Sequence, residues 1–321
     1  MEEIQTSVVG ELVTYARAQL GKRIVGQAVV IEQCLAALLA GGHVLLEGVP
    51  GLAKTLLVKS LGELFRLQFQ RIQGTSDMMP ADLLGTNVFN QASGNFQFHR
   101  GPLFADIVLI DEVNRMPPRT QAALLESMEE RQITSDGVRY PLGTYFTVFA
   151  TQNPIEFEGT YPLPEAQLDR FLMKVNVPYP DEAEETQILS LFEKRANRSE
   201  ETLAPIDPLD SSTLAAAQQA VAGVIVEPGL LRYITQLTRA TRTSPQLSLG
   251  ASPRAALSLL YVSKAIAALD GRNYLIPDDV QRAVLPVLRH RIQLRPEAQL
   301  DGLAADQVLK EVIRSVAVPK S

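Results

Sequence analysis

The sequence predicts an α/β fold with a parallel sheet, followed by a separate helical region. Strand-like apolar runs alternate with helix-like runs between about residues 43 and 177, and this alternation is typical of a parallel sheet with helices on both faces. A glycine-containing loop separates the first of these strands from the helix that follows it. Beyond Pro178-Tyr179-Pro180 the pattern is almost purely helical. We therefore expect an α/β core over residues 1–180 and a helical domain over residues 181–321.

Length and composition indicate the general class of protein. The chain has 321 residues, which favours roughly two domains, and 46% of them are apolar, enough for a sizeable core. A net charge of −6 disfavours non-specific binding to duplex nucleic acid. The single cysteine, Cys34, excludes a disulfide framework and fits a reducing compartment.

Neither a membrane span nor a metal-binding histidine cluster is expected. Apolar runs such as residues 35–40 fall far short of the ~20 residues that a bilayer requires, and the N-terminal Met-Glu-Glu lacks the cationic region of a signal peptide. His43, His99 and His290 have no metal-ligand spacing, so we expect structural roles for them. The resulting expectation is a cytoplasmic protein.

The elements of the α/β region follow from periodicity and turn signals. Helices are predicted over 1–23 and 28–40. A further helix is predicted to begin at Pro117-Pro118 and to run to about residue 130. Asp136-Gly137 predicts a hairpin over 132–140, and a second is expected over 88–98. The stretch 75–85 is polar and turn-prone. Short apolar runs predict five buried strands, over 43–47, 68–73, 105–110, 145–150 and 171–177.

The helical region begins with a capping box. Asp181 and Glu184 have the spacing in which each side chain caps the other residue's backbone, and they open a helix to about residue 196. A polar linker over 198–210 follows. Further helices are predicted over 212–222, 228–241, 253–269, 277–289 and 306–314.

The loop after the first strand carries the main chemical signal, and it reads Glu47-Gly48-Val49-Pro50-Gly51-Leu52-Ala53-Lys54-Thr55. Its glycines let the backbone approach an oxyanion, and the next helix presents unpaired N–H groups to phosphates. Lys54 can reach the β- and γ-phosphates, and Thr55 can hold Mg²⁺. The phosphate-loop pattern has Gly where this chain has Ala53, so we expect a helical or near-helical backbone there. The alternative is an ordinary turn beside a surface lysine.

Two other strand ends carry polar side chains that fit the same chemistry. Asp111 and Glu112 follow the third strand, where Asp111 can coordinate Mg²⁺ and Glu112 can polarise an attacking water. Asn153 follows the fourth strand, and its amide can bind the γ-phosphate and the lytic water. The alternatives are acids that end a strand by chance and an asparagine that forms a turn before Pro154.

Together these features resemble an AAA+ ATPase, and finer details are similar to its MoxR subgroup. The resemblance extends over residues from about 20 to 318 and is carried by the segments 24–27, 48–55, 110–115, 121–130, 150–154 and 163–171. It implies an AAA+ P-loop core with a five-stranded parallel sheet in the order 5-1-4-3-2, a C-terminal all-α lid domain, and Mg²⁺-dependent hydrolysis of ATP. The departure at Ala53 is similar to some members of the subgroup.

The resemblance also implies roles for individual residues. Mg²⁺ would be held by Thr55 and Asp111, while Glu112 would be the catalytic carboxylate and Asn153 would be sensor 1. Adenine would pack against Ile24 and Val25. The full set of residues implied to bind the nucleotide is Ile24, Val25, Gly26, Gln27, Gly48, Val49, Pro50, Gly51, Leu52, Ala53, Lys54, Thr55 and Leu56.

Two arginines are implied to act in catalysis. Arg170, just before the fifth strand, matches the arginine finger, which in this family enters the site of the neighbouring subunit. Arg254 follows Ser252-Pro253 at the start of a helix and resembles sensor 2. The alternatives are a surface partner of Asp169 and an exposed first-turn residue. An arginine in the first turn opposes the helix dipole slightly, which favours a functional reason.

The two hairpins resemble inserts that face the central pore in related rings. Phe89, Phe96 and Phe98 could contact a client protein there, or they could be satellite core residues. Gln73, at the end of the second strand, could couple client binding to Glu112.

The function that the resemblance implies is ATP-driven remodelling, maturation or cofactor insertion in a partner protein by a homo-hexameric ring. Partners with a von Willebrand factor A domain are associated with this subgroup. One alternative is a nucleic-acid motor or helicase-like ATPase, which the acidic charge and the lack of basic-aromatic stripes disfavour. Another is a nucleotide-gated scaffold with negligible turnover, which the intact Asp111-Glu112 pair disfavours.

Overall fold

The computed structural model describes residues 2–92, 94–153, 159–196 and 203–319. In chain order the strands are β1 (Val44–Glu47), β2 (Phe69–Gln73), β3 (Gly85–Asn90), β4 (Asn95–Arg100), β5 (Ile107–Asp111), β6 (Gln132–Ser135), β7 (Val138–Pro141), β8 (Thr147–Gln152), β9 (Met173–Asn176), β10 (Leu247–Leu249) and β11 (Gln293–Leu294). The helices are α1 (Glu2–Gly21), α2 (Ala28–Leu39), α3 (Lys54–Leu64), α4 (Pro80–Leu84), α5 (Pro118–Glu130), α6 (Glu165–Leu168), α7 (Glu182–Ala196), α8 (Ser211–Ala222), α9 (Pro228–Thr243), α10 (Pro253–Leu269), α11 (Pro277–Leu288), α12 (Pro296–Leu300) and α13 (Ala305–Ser315).

Five parallel strands form the central sheet in the order β2-β5-β8-β1-β9. These labels also number strands that lie outside the central sheet. When only β1, β2, β5, β8 and β9 are numbered, as 1 to 5 in chain order, the order read from β9 is 5-1-4-3-2, as expected. Because all five strands are parallel, their carboxyl ends lie along the same side of the sheet, here called its carboxyl edge. An α/β sheet binds its ligand at this edge. This edge brings the ends of β1, β5 and β8 together.

The sheet has a buried apolar cluster on each face, because alternate residues of each strand point to opposite sides. In β5, for example, Ile107 and Leu109 belong to one cluster, and Val108 and Ile110 belong to the other. The first cluster includes apolar side chains of α1, α2 and α3 and extends into α8–α11 and α13, whereas the second includes those of α5. Cys34 lies in the first cluster, and burial raises the pKa of its thiol to about 12.

His43 ties the start of β1 to two neighbouring elements. Its Nδ1 accepts a hydrogen bond from the N–H of Val148 at 3.0 Å, so Nε2 carries the proton and donates to the carbonyl of Met128 at 3.1 Å. Burial lowers the pKa of His43 to about 4. His43 and the likewise buried His290 each hydrogen-bond a backbone carbonyl, whereas His99 is exposed. Within the described residues there is no group of three His, Cys, Asp or Glu side chains that could hold a metal ion.

Both expected hairpins are present, as β3–β4 and β6–β7, although Ser93 in the first turn lies outside the described residues. Phe89 and Phe96 are 50% and 72% exposed and contact each other edge to face. Phe98 instead stacks on Tyr140 of the second hairpin and packs against the core. The polar stretch before β3 was expected to be a turn, but Pro80 there begins α4, because its fixed φ suits a first helical position.

The chain after residue 181 is helical, as expected for a lid, apart from a small antiparallel pair, β10–β11, that the sequence analysis missed. The capping box is confirmed, since Glu184 N–H donates to Asp181 and Asp181 N–H donates to Glu184. Residues 197–202 of the expected linker lie outside the described residues. Within the described ranges, no helix combines the length and apolar character needed to cross a membrane. The division at residues 180 and 181 stays a prediction.

Candidate active site

The glycine-containing loop connects β1 to α3 at the carboxyl edge of the sheet. Gly51 has φ of 87°, and the direction its missing Cβ would take is open space. Ala53 precedes α3 with φ of 55°, so the helical backbone expected there is wrong. This left-handed conformation costs an L-residue roughly 1–2 kcal/mol. The geometry that joins the loop to α3 therefore overrides the local preference of alanine.

Lys54, the first residue of α3, folds its side chain back over the loop. Its ammonium group donates to the carbonyl of Gly48 at 2.6 Å and to that of Val49 at 2.8 Å. Burial lowers the pKa of Lys54, while the nearby carboxylates of Asp111 and Glu112 act in the opposite direction. A cation, an open loop and the uncapped N-terminus of α3 are thus gathered at one point, which fits a phosphate group.

Asp111 ends β5 and is the centre of the acidic side of the site. Its side chain is nearly buried, with Thr55 Oγ1 3.5 Å from Oδ2 and Thr151 Oγ1 3.4 Å from Oδ1. Arg71 of β2 donates through Nε to Oδ2 at 2.7 Å. The carboxylate and hydroxyl oxygens are ligands that suit Mg²⁺. The guanidinium already bonded to Asp111 shows that this position accommodates a positive charge.

Glu112 lies next to Asp111 in a left-handed conformation, with φ of 57°. Its N–H donates to Thr151 Oγ1 at 2.9 Å, which fixes the backbone. Its carboxylate accepts hydrogen bonds from Gln73 Nε2 and Arg115 Nη1, each at 3.1 Å. The structure therefore brings Gln73 to Glu112, but a role in coupling to a client stays a prediction.

One cavity of about 440 Å³ brings most of the predicted residues together. It is lined by residues of the loop, by Asp111 and Glu112 and by Asn153, a residue that is 9% exposed. Arg71 also lines it, although the sequence analysis did not single it out as a site residue. Its position in β2, two residues before Gln73 on the same face, was the available signal.

The segment 24–27 contacts the loop mainly through Gln27, whose Nε2 donates to the carbonyl of Leu52 at 3.2 Å. Gln27 Oε1 is buried and has no hydrogen-bond partner among the described residues, and Gln27 lines a second cavity of about 630 Å³. Gly26 is closely covered by the Glu184 carboxylate. Ile24 is buried in the first core cluster and Val25 is partly buried. The unpaired acceptor fits a donor group such as the exocyclic amine of adenine.

Arg170 and Arg254 lie together and, among the described residues, neither is part of the lining of the loop cavity. Arg170 Nε donates to one carboxylate oxygen of Glu129 at 2.8 Å, and Arg254 Nη1 donates to the other at 2.9 Å. The alternative in which Arg170 pairs with Asp169 is wrong, because the Asp169 carboxylate bonds Arg291 and Ser252 instead. No local pattern in the sequence points to Glu129, because its partners are 41 and 125 residues away.

Comparison with known proteins identifies the class. Residues 43–173 match the family described as ATPase family associated with various cellular activities (AAA), and residues 239–312 match the AAA lid domain. A phosphate loop at the carboxyl edge of a parallel sheet, an acidic strand end beside it and a helical lid define an AAA+ ATPase. The chain is accordingly a nucleotide-binding protein that hydrolyses ATP.

The relatives identify the family more closely. The chain is 40% identical to Chaperone MoxR1 from Mycobacterium tuberculosis, over 97% of this chain and 84% of that protein. It is 30% identical to Protein MoxR from Methylorubrum extorquens, over 93% and 91%. The chain therefore belongs to the MoxR family of AAA+ ATPases. A crystal structure of a protein from Cytophaga hutchinsonii, assigned as an ATPase, superimposes with a TM-score of 0.90 at 38% identity and covers 99% of this chain and 98% of that one.

Proposed function

We propose that this chain is a subunit of a ring-forming, Mg²⁺-dependent ATPase that uses hydrolysis to remodel, mature or insert a cofactor into a partner protein. The observation that carries the proposal is a division of the site. The loop, the acidic pair and Asn153 line one cavity, whereas Arg170 and Arg254 lie together outside its lining. A cavity lined by the loop, the acidic pair and Asn153 but not by Arg170 or Arg254 is expected where a neighbouring subunit supplies these two arginines.

Within the cavity each residue has a distinct task. The loop N–H groups and Lys54 bind the phosphates, and Thr55 with Asp111 holds the metal ion. Glu112 orients and polarises the attacking water, while Asn153 contacts the γ-phosphate. When bound, Mg²⁺ neutralises charge that develops on the phosphate oxygens. Arg170 and Arg254 of a neighbouring subunit stabilise the transferring phosphoryl group, and an arginine in this role is worth about 10³–10⁵ in rate.

The proposed client is a protein, and one class of candidate carries a von Willebrand factor A domain. The name Chaperone MoxR1, borne by a relative with 40% identity, supports a protein client. The exposed pair Phe89 and Phe96 at the tip of the first hairpin offers an apolar contact for such a client. A homo-hexameric ring is the proposed assembly.

Two variants test the assignment. Lys54→Ala removes the cation inside the loop and should abolish ATP binding, so affinity near that of the wild type would contradict the phosphate site. Glu112→Gln should bind ATP and stall, and normal single-turnover hydrolysis would remove Glu112 from its role. The Glu112→Gln protein, trapped with nucleotide, is also the bait of choice for capturing the client.

Mixing experiments test whether the sites lie between subunits. Arg170→Ala and Glu112→Gln are each expected to be inactive alone. When they co-assemble, the Glu112→Gln subunit supplies its intact arginine to the intact cavity of the Arg170→Ala subunit, and part of the activity returns. No recovery in mixtures shown to co-assemble would instead indicate a site within one chain.

A further inference from the structure

Glu129 joins the two arginines that the sequence places far apart. It lies in the last turn of α5, Arg170 lies between α6 and β9, and Arg254 lies in the first turn of α10. Each guanidinium takes a different oxygen of the one carboxylate, at 2.8 and 2.9 Å. The two positive charges are therefore held side by side by a single negative group.

The charge of Glu129 is maintained by this arrangement. The hydrogen bond from Arg254 is the largest influence that lowers the pKa of Glu129, and the positive charges of both arginines add to it. The side chains of Arg170, Glu129 and Arg254 are 29%, 38% and 45% exposed. Ion pairs with this exposure contribute little to folding stability, so stabilising the fold does not account for the arrangement.

A second set of bonds fixes the backbone that carries both arginines. The Asp169 carboxylate accepts from Arg291 Nε at 2.6 Å and from Ser252 Oγ at 3.1 Å, which ties the Arg170 segment to the start of α10. The Ser252 hydroxyl also caps α10, two residues before Arg254. Arg291 is itself buried and donates to the carbonyls of Asp169 and Phe171. With both backbones fixed, Glu129 determines where the two guanidinium groups point.

We propose that Glu129 is a positioning residue that holds Arg170 and Arg254 as one unit of two guanidinium groups, aimed at the phosphates of the neighbouring subunit. This inference rests on the proposed supply of the arginines between subunits. Donors that are oriented before the reaction need no rearrangement as charge develops, which is where their effect on rate originates. Glu129 contributes no atom to the reaction and acts through the two arginines.

The test compares Glu129→Gln with Glu130→Gln, which makes the same change at the next, exposed residue of α5. Loss of the charge at Glu129 is expected to lower kcat about 10- to 100-fold, because small misplacements of catalytic groups have effects of this size. Binding of a fluorescent ADP analogue to the same subunit and the thermal midpoint should match those of Glu130→Gln. Glu129→Asp, which keeps the charge, should recover part of kcat.

Mixing variant subunits distinguishes a defect in the arginines that a subunit donates from a defect in its own nucleotide cavity. Glu129→Gln mixed with Glu112→Gln should regain activity, whereas Glu129→Gln mixed with Arg170→Ala should not, because both defects then lie in the donated arginines. A wild-type kcat in Glu129→Gln, while Arg170→Ala is inactive, would overturn the proposal. So would a lowered thermal midpoint with no selective loss of kcat. Full activity in Arg170→Ala would instead refute the proposed function.

Discussion

Gly74 follows β2 and packs against the backbone of Asp111 and Glu112, the acidic pair that we propose binds the metal ion and polarises the attacking water. Its N–H donates to the carbonyl of Asp111 at 2.7 Å. A Cβ at this position would overlap the carbonyl oxygen of Glu112 and lie 3.0 Å from that of Asp111, whereas ordinary contact begins at 3.4 Å. Gly74 is not among the residues with positive φ, so the penalty for alanine is the overlap with backbone atoms.

Gly74→Ala is therefore expected to displace Glu112 by a distance on the order of 1 Å, and a shift of that size costs about 100-fold in rate. This corresponds to about 2.7 kcal/mol in the activation free energy. The three atoms nearest to a Cβ at Gly74 belong to Asp111 and Glu112 and not to the loop, so affinity for a fluorescent ADP analogue without Mg²⁺ should stay within about threefold of wild type. The loss should appear in kcat, measured with ATP and Mg²⁺ at saturation.

Gly229→Ala is the matched control, because a Cβ there would make an ordinary contact, 3.6 Å from Pro319. It should change neither kcat nor nucleotide affinity. Overpacking at Gly74 also costs about 1–3 kcal/mol in the free energy of unfolding, so activity is compared at a temperature where both variants are folded. A folded Gly74→Ala protein with wild-type kcat would refute the inferred contact between Gly74 and the catalytic backbone.

Three other perturbations give measurable outcomes. Ala53→Gly should relieve the strain of the left-handed backbone, although glycine also has greater freedom in the unfolded chain. The net result should be a rise of about 0.5–1 kcal/mol in the free energy of unfolding, measured by urea titration, and a decrease would contradict the strain. Because the folded pKa of His43, about 4, lies below its unfolded value of 6.5, its contribution to stability is present above pH 6.5 and is lost as pH falls toward 4. Between pH 7 and pH 5, the free energy of unfolding should fall by about 2 kcal/mol more in the wild type than in His43→Asn, and an equal fall in both proteins would contradict this. Arg71→Ala removes a half-exposed ion pair from Asp111, so the Mg²⁺ concentration needed for half-maximal binding of a fluorescent nucleotide should fall about two- to fivefold, and a rise would exclude the competition.

Much of the fold and of the cavity follows from short stretches of sequence. Apolar runs of strand length, the prolines that open helices and the pair Asp136-Gly137 encode their structures within a few residues, and the structure confirms these elements. The loop, the acidic pair and Asn153 could be predicted to meet because each follows a strand of one parallel sheet. The errors are local as well, since the backbone at Ala53 and helix α4 depend on how neighbouring segments join.

By itself the sequence determined the α/β class, the glycine-containing loop that is predicted to bind phosphate and the carboxylates opposite it, because these features are encoded by adjacent residues and by a regular period. Only the tertiary structure decided which side chains are paired with one another across the chain. Arg71 reaches Asp111, and Glu129 gathers Arg170 and Arg254, through contacts between residues 40 to 125 positions apart. Such contacts depend on how helices and strands pack, and no local pattern of residues specifies them.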